Sequence, residues 1–153
     1  MKAIIVYESK FGNSKRVATH IATGMTEAGA EAFAVHAKET SAEKMAPYDL
    51  VVIGSPERAG RPMKSARKFL ESLAGVPMEG KTVAFFETYG FAPEPGGKAV
   101  EKLVEMARKY VPQARLLAGG LSVRVKGTKG PILEAEAPRA REFGNKLARG
   151  EVA

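Results

Sequence analysis

The feature that most constrains this chain is its rhythm. Short apolar runs alternate with stretches whose apolar residues recur at helical spacing, from one end of the sequence to the other. Ala3 to Tyr7 is a continuous apolar run, the pattern of a strand buried on both faces. Residues 14–28 carry Ala18, Ile21, Ala22 and Met25 at helical spacing and close on Gly29. Ala32 to Val35 reads as a second, weaker strand, and Leu50 to Ile53 as a third, ending at Gly54-Ser55-Pro56. The next helix has Ala66, Phe69, Leu70 and Leu73 on one face and stops at Gly75-Val76-Pro77. Thr82 to Phe86 is the fourth strand. Ala99, Leu103, Met106, Ala107 and Tyr110 mark a helix that Pro112 ends. Ala114 to Val125 is the fifth strand, interrupted by a bulge or bend at Gly119-Gly120. Ala140, Phe143, Leu147 and Ala148 mark the last helix.

Such alternation predicts parallel strands, because each right-handed crossover needs a returning segment, usually a helix. The expected architecture is α/β: one three-layer, doubly wound domain over residues 1–153, with no internal repeat, linker or break in composition. Open sheets of this kind bind ligands beyond the carboxyl ends of their strands, where the strand order reverses. The loops after the first, third and fourth strands are therefore the candidate site.

Composition narrows the chemistry. The absence of Cys excludes disulfides, thiol nucleophiles and cysteine-ligated metals. His20 and His36 lie far apart, which argues against a zinc site. No apolar run approaches the roughly 20 residues that cross a bilayer, and the opening run ends at Glu8, too short for a secretory signal; a cytoplasmic protein is expected. The net charge of +7, with a pI near 9.7, suits nucleic acid, an anionic membrane surface, an acidic protein partner or a phosphate-bearing ligand, and equally a surface that is only soluble. Lys and Arg are scattered, without the basic–aromatic interleave of single-strand binders, which argues against nucleic acid.

The first loop, Ser9-Lys10-Phe11-Gly12-Asn13-Ser14, runs straight into a helix. Hydroxyls and backbone amides at a helix N-terminus form a phosphate cradle, favoured by the orphan N–H groups and the helix dipole. The same residues also read as a tight turn with Asn13 as the helix cap. The loop has neither the Gly-Lys-Ser/Thr of a Walker loop nor the three glycines of the dinucleotide fingerprint. The second loop is Gly54-Ser55-Pro56-Glu57-Arg58-Ala59-Gly60-Arg61-Pro62, which Pro56 and Gly60 also allow as an ordinary exit turn. The third, Glu87-Thr88-Tyr89-Gly90-Phe91-Ala92-Pro93, places aromatics at a strand exit, where packing is the commoner role.

Lys2 to Gly29 resembles the N-terminal segment of flavodoxins, whose phosphate loop is matched by Ser9, Phe11, Gly12, Asn13 and Ser14 in order. Gly54-Ser55-Pro56 and the aromatic Tyr89 fall where that family carries its two ring-binding loops. The resemblance implies strand order 2-1-3-4-5 with five helices. Only Lys126 to Glu134 joins the fifth strand to the last helix, so it points to the short-chain type. It implies FMN as cofactor. The phosphate would rest on the amides of Phe11 to Ser14 with the hydroxyls of Ser9 and Ser14, and Lys10 nearby. The ring would lie between Ser55, Pro56, Glu57, Arg58, Ala59 and Gly60 on one side and Thr88, Tyr89, Gly90 and Phe91 on the other.

The implied function is electron transfer. The alternatives are a small oxidoreductase acting on a quinone-like acceptor and a flavin-free interaction module. No acid–base pair is visible in the loops beyond Glu57 and Glu87, which favours the carrier. The chain departs from the family in lacking a stacking Trp and in being basic where flavodoxins are acidic. Lys10, Arg58 and Arg61 are therefore expected to ease formation of the anionic reduced flavin, and an acidic redox partner is expected.

Overall fold

The computed structural model describes residues 1–90 and 96–153. The strands are β1 (Lys2–Tyr7), β2 (Glu31–His36), β3 (Leu50–Arg58), β4 (Arg61–Pro62), β5 (Thr82–Tyr89), β6 (Arg115–Leu116) and β7 (Leu121–Arg124). The α-helices are α1 (Asn13–Glu27), α2 (Lys64–Ser72), α3 (Lys98–Tyr110) and α4 (Glu136–Ala148). The sheet runs β2-β1-β3-β5-β6, with β7 also on β5 and the short β4 folded back on β3. Every pair is parallel except β3 with β4. With β4 set aside as an arm of β3, this is the expected 2-1-3-4-5 order, the fifth position being shared by β6 and β7.

That split follows from Gly119-Gly120. β6 pairs with Thr82 and Val83, and β7 pairs with Phe86 to Tyr89 further along the same strand. Between them the backbone turns aside, Gly119 N donating to the Ala153 carbonyl and Gly120 N to that of Ala118. A fifth α-helix is not found among the described residues. The β2-to-β3 crossover is two 3-10 turns, Ala37–Glu39 and Ala42–Met45. Thr40 and Ser41 between them are both extended, which breaks any continuous helix.

The continuous apolar runs are explained by burial on both faces. Ile5, Tyr7, Val52, Ala84 and Phe86 point to one core with Val17, Ile21, Met25, Phe143 and Leu147 of α1 and α4. Ile4, Val6, Val51, Ile53, Val83 and Phe85 point to the other, with Phe69 and Leu70 of α2 and Leu103 of α3. Phe85 and Phe86 are both fully buried on opposite sides of one strand, each contributing roughly 1.5–3 kcal/mol of apolar transfer.

The first layer is closed by unusually close helix packing. A Cβ on Gly24 would lie 1.9 Å from the Arg141 carbonyl oxygen, and one on Gly144 would lie 2.0 Å from that of Ile21. The seam is bridged at its exposed edge by Arg141 and Glu27. This packing fixes α1, and with it the position of the first loop at the carboxyl edge of the sheet. Among the described residues no helix is long and apolar enough to cross a membrane.

Candidate functional site

Gly12 takes φ +88, a left-handed conformation that favours glycine, and the chain turns there from β1 into α1. Gly12 itself is the N-cap, so the reading of Asn13 as cap is corrected: Asn13 is the first helical residue. Its side-chain amide instead donates to the Lys129 carbonyl at 2.9 Å. Gly12 has no side chain with which to cap α1, and the first turn holds no acid. Ser14 is fully buried, and its hydroxyl lies 3.1 Å from that of Thr88, itself 4% exposed. The Ser9 hydroxyl makes a long contact, 3.4 Å, with the Lys15 amide. A helix N-terminus with unspent amides and buried hydroxyls thus opens at this corner, a combination that attracts an anion.

The second loop is a β-hairpin. β3 continues past Gly54, and β4 returns along it with Glu57 opposite Pro62 and Arg58 opposite Arg61. Ala59 and Gly60 at the tip both have positive φ, 50° and 77°, the sign pattern of a two-residue turn that matches strand twist. Ser55 is fully buried. Its hydroxyl accepts from Met63 N at 2.7 Å and donates to the Pro56 carbonyl at 2.9 Å. It therefore braces the base of the hairpin, behind the residues that line the cavity.

The third loop leaves β5 through Thr88, Tyr89 and Gly90; Phe91 lies outside the described residues. The Arg124 guanidinium sits 5.9 Å from the centre of the Tyr89 ring. Gly96 packs so close that a Cβ there would be 2.4 Å from it. Glu87, a candidate acid–base group in sequence, is fully buried. One of its carboxylate oxygens accepts from Gly97 N at 2.8 Å and the other from Val100 N at 2.9 Å. It closes the N-terminus of α3 and is not among the residues that line the cavity.

These loops surround one cavity of about 440 Å³. Ser9, Lys10, Phe11, Asn13 and Ser14 line one end, Pro56 to Gly60 one wall, and Thr88 to Gly90 the other. Gly12 shapes the first loop through its backbone. Lys98, Val125 and Thr128, not singled out in the sequence, complete the lining. Val125 ends the fifth strand position, but Thr128 sits in a polar turn with no local signal. Among the described residues, Lys10, Arg58 and Lys98 are the cations of the lining and Glu57 its carboxylate, a positive balance. Donors at one end and a slot between an aromatic loop and a hairpin suit a ligand with a small anion joined to a flat body.

A family model described as a flavodoxin domain matches residues 4–126. The flavodoxin of Megasphaera elsdenii is 29% identical over 89 residues, a stretch covering 57% of this chain. The chain spans 64% of that relative's length, under two thirds. Among solved structures, oxidised Flavodoxin 2 from Bacillus cereus superposes with a TM-score of 0.80 at 24% identity, covering 98% of this chain and 99% of that one. A flavodiiron core from Synechocystis superposes with a TM-score of 0.78 at 21% identity, covering 99% of this chain and 36% of that one. At these identities the structural likeness shows the fold.

Proposed function

Because this chain belongs to the flavodoxin family, we propose that its corner cavity holds FMN and that the protein is an electron carrier. The observation that carries this reading is the N-terminus of α1, which starts on Gly12 with no acid in its first turn, with the buried hydroxyls of Ser14 and Thr88 beside it, at one end of a slot-shaped cavity. The residues present fit the group. The amides of Phe11 to Ser14 and the hydroxyls of Ser9, Ser14 and Thr88 hold the phosphate. The Pro56–Gly60 hairpin, braced by Ser55, and the Thr88–Gly90 loop with Tyr89 flank the ring and keep water from it. When bound, FMN supplies the electron-transfer chemistry, and the protein supplies orientation and electrostatics.

Two features of the chain support a carrier. Glu87 accepts from the amides of α3 through both carboxylate oxygens, so among the described residues Glu57 is the one carboxylate that lines the cavity. The cations Lys10, Arg58 and Lys98 of the lining, with Arg61 on the hairpin, stabilise negative charge on a reduced flavin. They also steer an acidic redox partner toward the exposed edge of the site, at a rate that falls with salt.

Added FMN should be taken up at one equivalent with its fluorescence quenched; protein that stays colourless and leaves the fluorescence unchanged removes this function. Electron transfer to an acidic partner should slow as ionic strength rises. A salt-insensitive rate removes the acidic partner and leaves the cofactor standing.

A further inference from the structure

The turn after β7 does more than join it to α4. Val125 N donates to the Tyr89 carbonyl, and Val125 bridges to Ile132. Within the turn, Lys126 N donates to the Pro131 carbonyl and Gly130 N to the Lys126 carbonyl, both at 2.9 Å. The turn is then fastened to the first loop by the Asn13 side chain, which donates to the Lys129 carbonyl at 2.9 Å. Gly130 makes this approach possible: a Cβ there would fall 2.3 Å from the Asn13 side-chain oxygen. A surface turn is thereby strapped across the end of the cavity where the first loop lies.

The strap delivers a charge. Lys129 Nζ lies 5.8 Å from the centre of the Phe11 ring, and Lys10 Nζ lies 5.5 Å from the same ring. Phe11 is 41% exposed, large for an apolar side chain that lines a cavity. Among the described residues neither lysine forms an ion pair. Two ammonium groups drawn to one ring repel each other, and the ring compensates only in part. A dianion beside the ring neutralises both.

We propose that Lys10 and Lys129, docked on Phe11 and held by the Asn13 strap, form a charge clamp that makes this site discriminate a phosphorylated flavin from its unphosphorylated form. The clamp rests on the FMN reading and adds a recognition element to it. Hydrogen bonds from amides and hydroxyls select phosphate by geometry; the two lysines select it by charge, and that part is screened by salt.

The test is a fluorescence titration of the full chain with FMN and with riboflavin, in wild type, K10Q/K129Q and K10R/K129R, at low and high salt. Expected is a roughly tenfold weaker FMN affinity in K10Q/K129Q with riboflavin affinity within about twofold of wild type, as for two partly exposed charges. K10R/K129R should keep the wild-type ratio, and the salt dependence of FMN binding should become shallower in the glutamine variant but not in the arginine one. Equal weakening for both flavins would mean that the lysines shape the loop and would overturn the clamp, as would an unchanged ratio. Wild-type protein that binds neither flavin overturns the FMN reading and the clamp with it, and is told apart by the wild-type curves alone.

Discussion

Helices α1 and α3 begin in the same way and end up in opposite chemical states. Each starts at a glycine with positive φ, Gly12 at 88° and Gly97 at 113°, and neither has a side-chain cap from its own N-cap residue. Each leaves first-turn amides that the helix cannot satisfy internally. At α3 the protein supplies its own anion: the buried Glu87 carboxylate, reaching from β5, takes the amides of Gly97 and Val100. At α1 no acid stands in the first turn, and the nearby groups are the hydroxyls of Ser9, Ser14 and Thr88. Of these two helix N-termini, the fold therefore seals that of α3 with its own carboxylate. The unsealed one opens on the cavity, which is what a site for an external phosphate requires.

Breaking the sealed end should have the largest effect. Glu87→Ala removes two charge-assisted hydrogen bonds and leaves buried amides without a partner, so urea unfolding should show a loss of about 3 kcal/mol. Glu87→Gln, which keeps one acceptor, should recover part of it; wild-type stability in the alanine variant would mean that the cap is idle. Sealing the open end is the converse experiment. Ser14→Asp gives α1 the anion it lacks, and FMN affinity should fall on the order of a hundredfold, about 2.7 kcal/mol, in protein that circular dichroism shows to be folded. Undiminished affinity would place the phosphate elsewhere.

The smallest effect concerns the same helix away from its N-terminus. His20 faces the seam with α4, and its imidazole is held below its ordinary value, first by burial and then by Arg16 and Arg141. The folded state thus binds fewer protons than the unfolded chain below about pH 6.5. Stability from this source is complete above that pH and is lost as pH falls toward the folded value. His20→Gln should flatten the decline in stability on acidification without changing FMN affinity. An identical pH profile would remove His20 as a contributor.

The sequence made the layers legible because burial on both faces leaves continuous apolar runs, as in Ala3 to Tyr7 and Thr82 to Phe86. It made the first loop legible because hydroxyls, a glycine and an asparagine stood at a strand-to-helix junction. Three things escaped it for physical reasons. The hairpin tip places Ala59 at a φ of 50°, against the preference of any residue with a Cβ, so from sequence the second loop also allows an ordinary exit turn. Glu87 looks like one more polar residue at a strand end, and only the fold shows which amides its carboxylate meets. The strap depends on a bond between Asn13 and Lys129, 116 residues apart, and a Lys-rich turn carries no trace of such a contact. In each case the missing information is long-range, while composition and periodicity are local.

The most direct measurement is the amide nitrogen–proton spectrum of the protein titrated with FMN. The account predicts that the resonances of Phe11, Gly12, Asn13 and Ser14 move strongly up to one equivalent, while those of Gly97 and Val100, already spent on Glu87, move far less. Large shifts at Gly97 and Val100 with the first-loop amides at rest would contradict it.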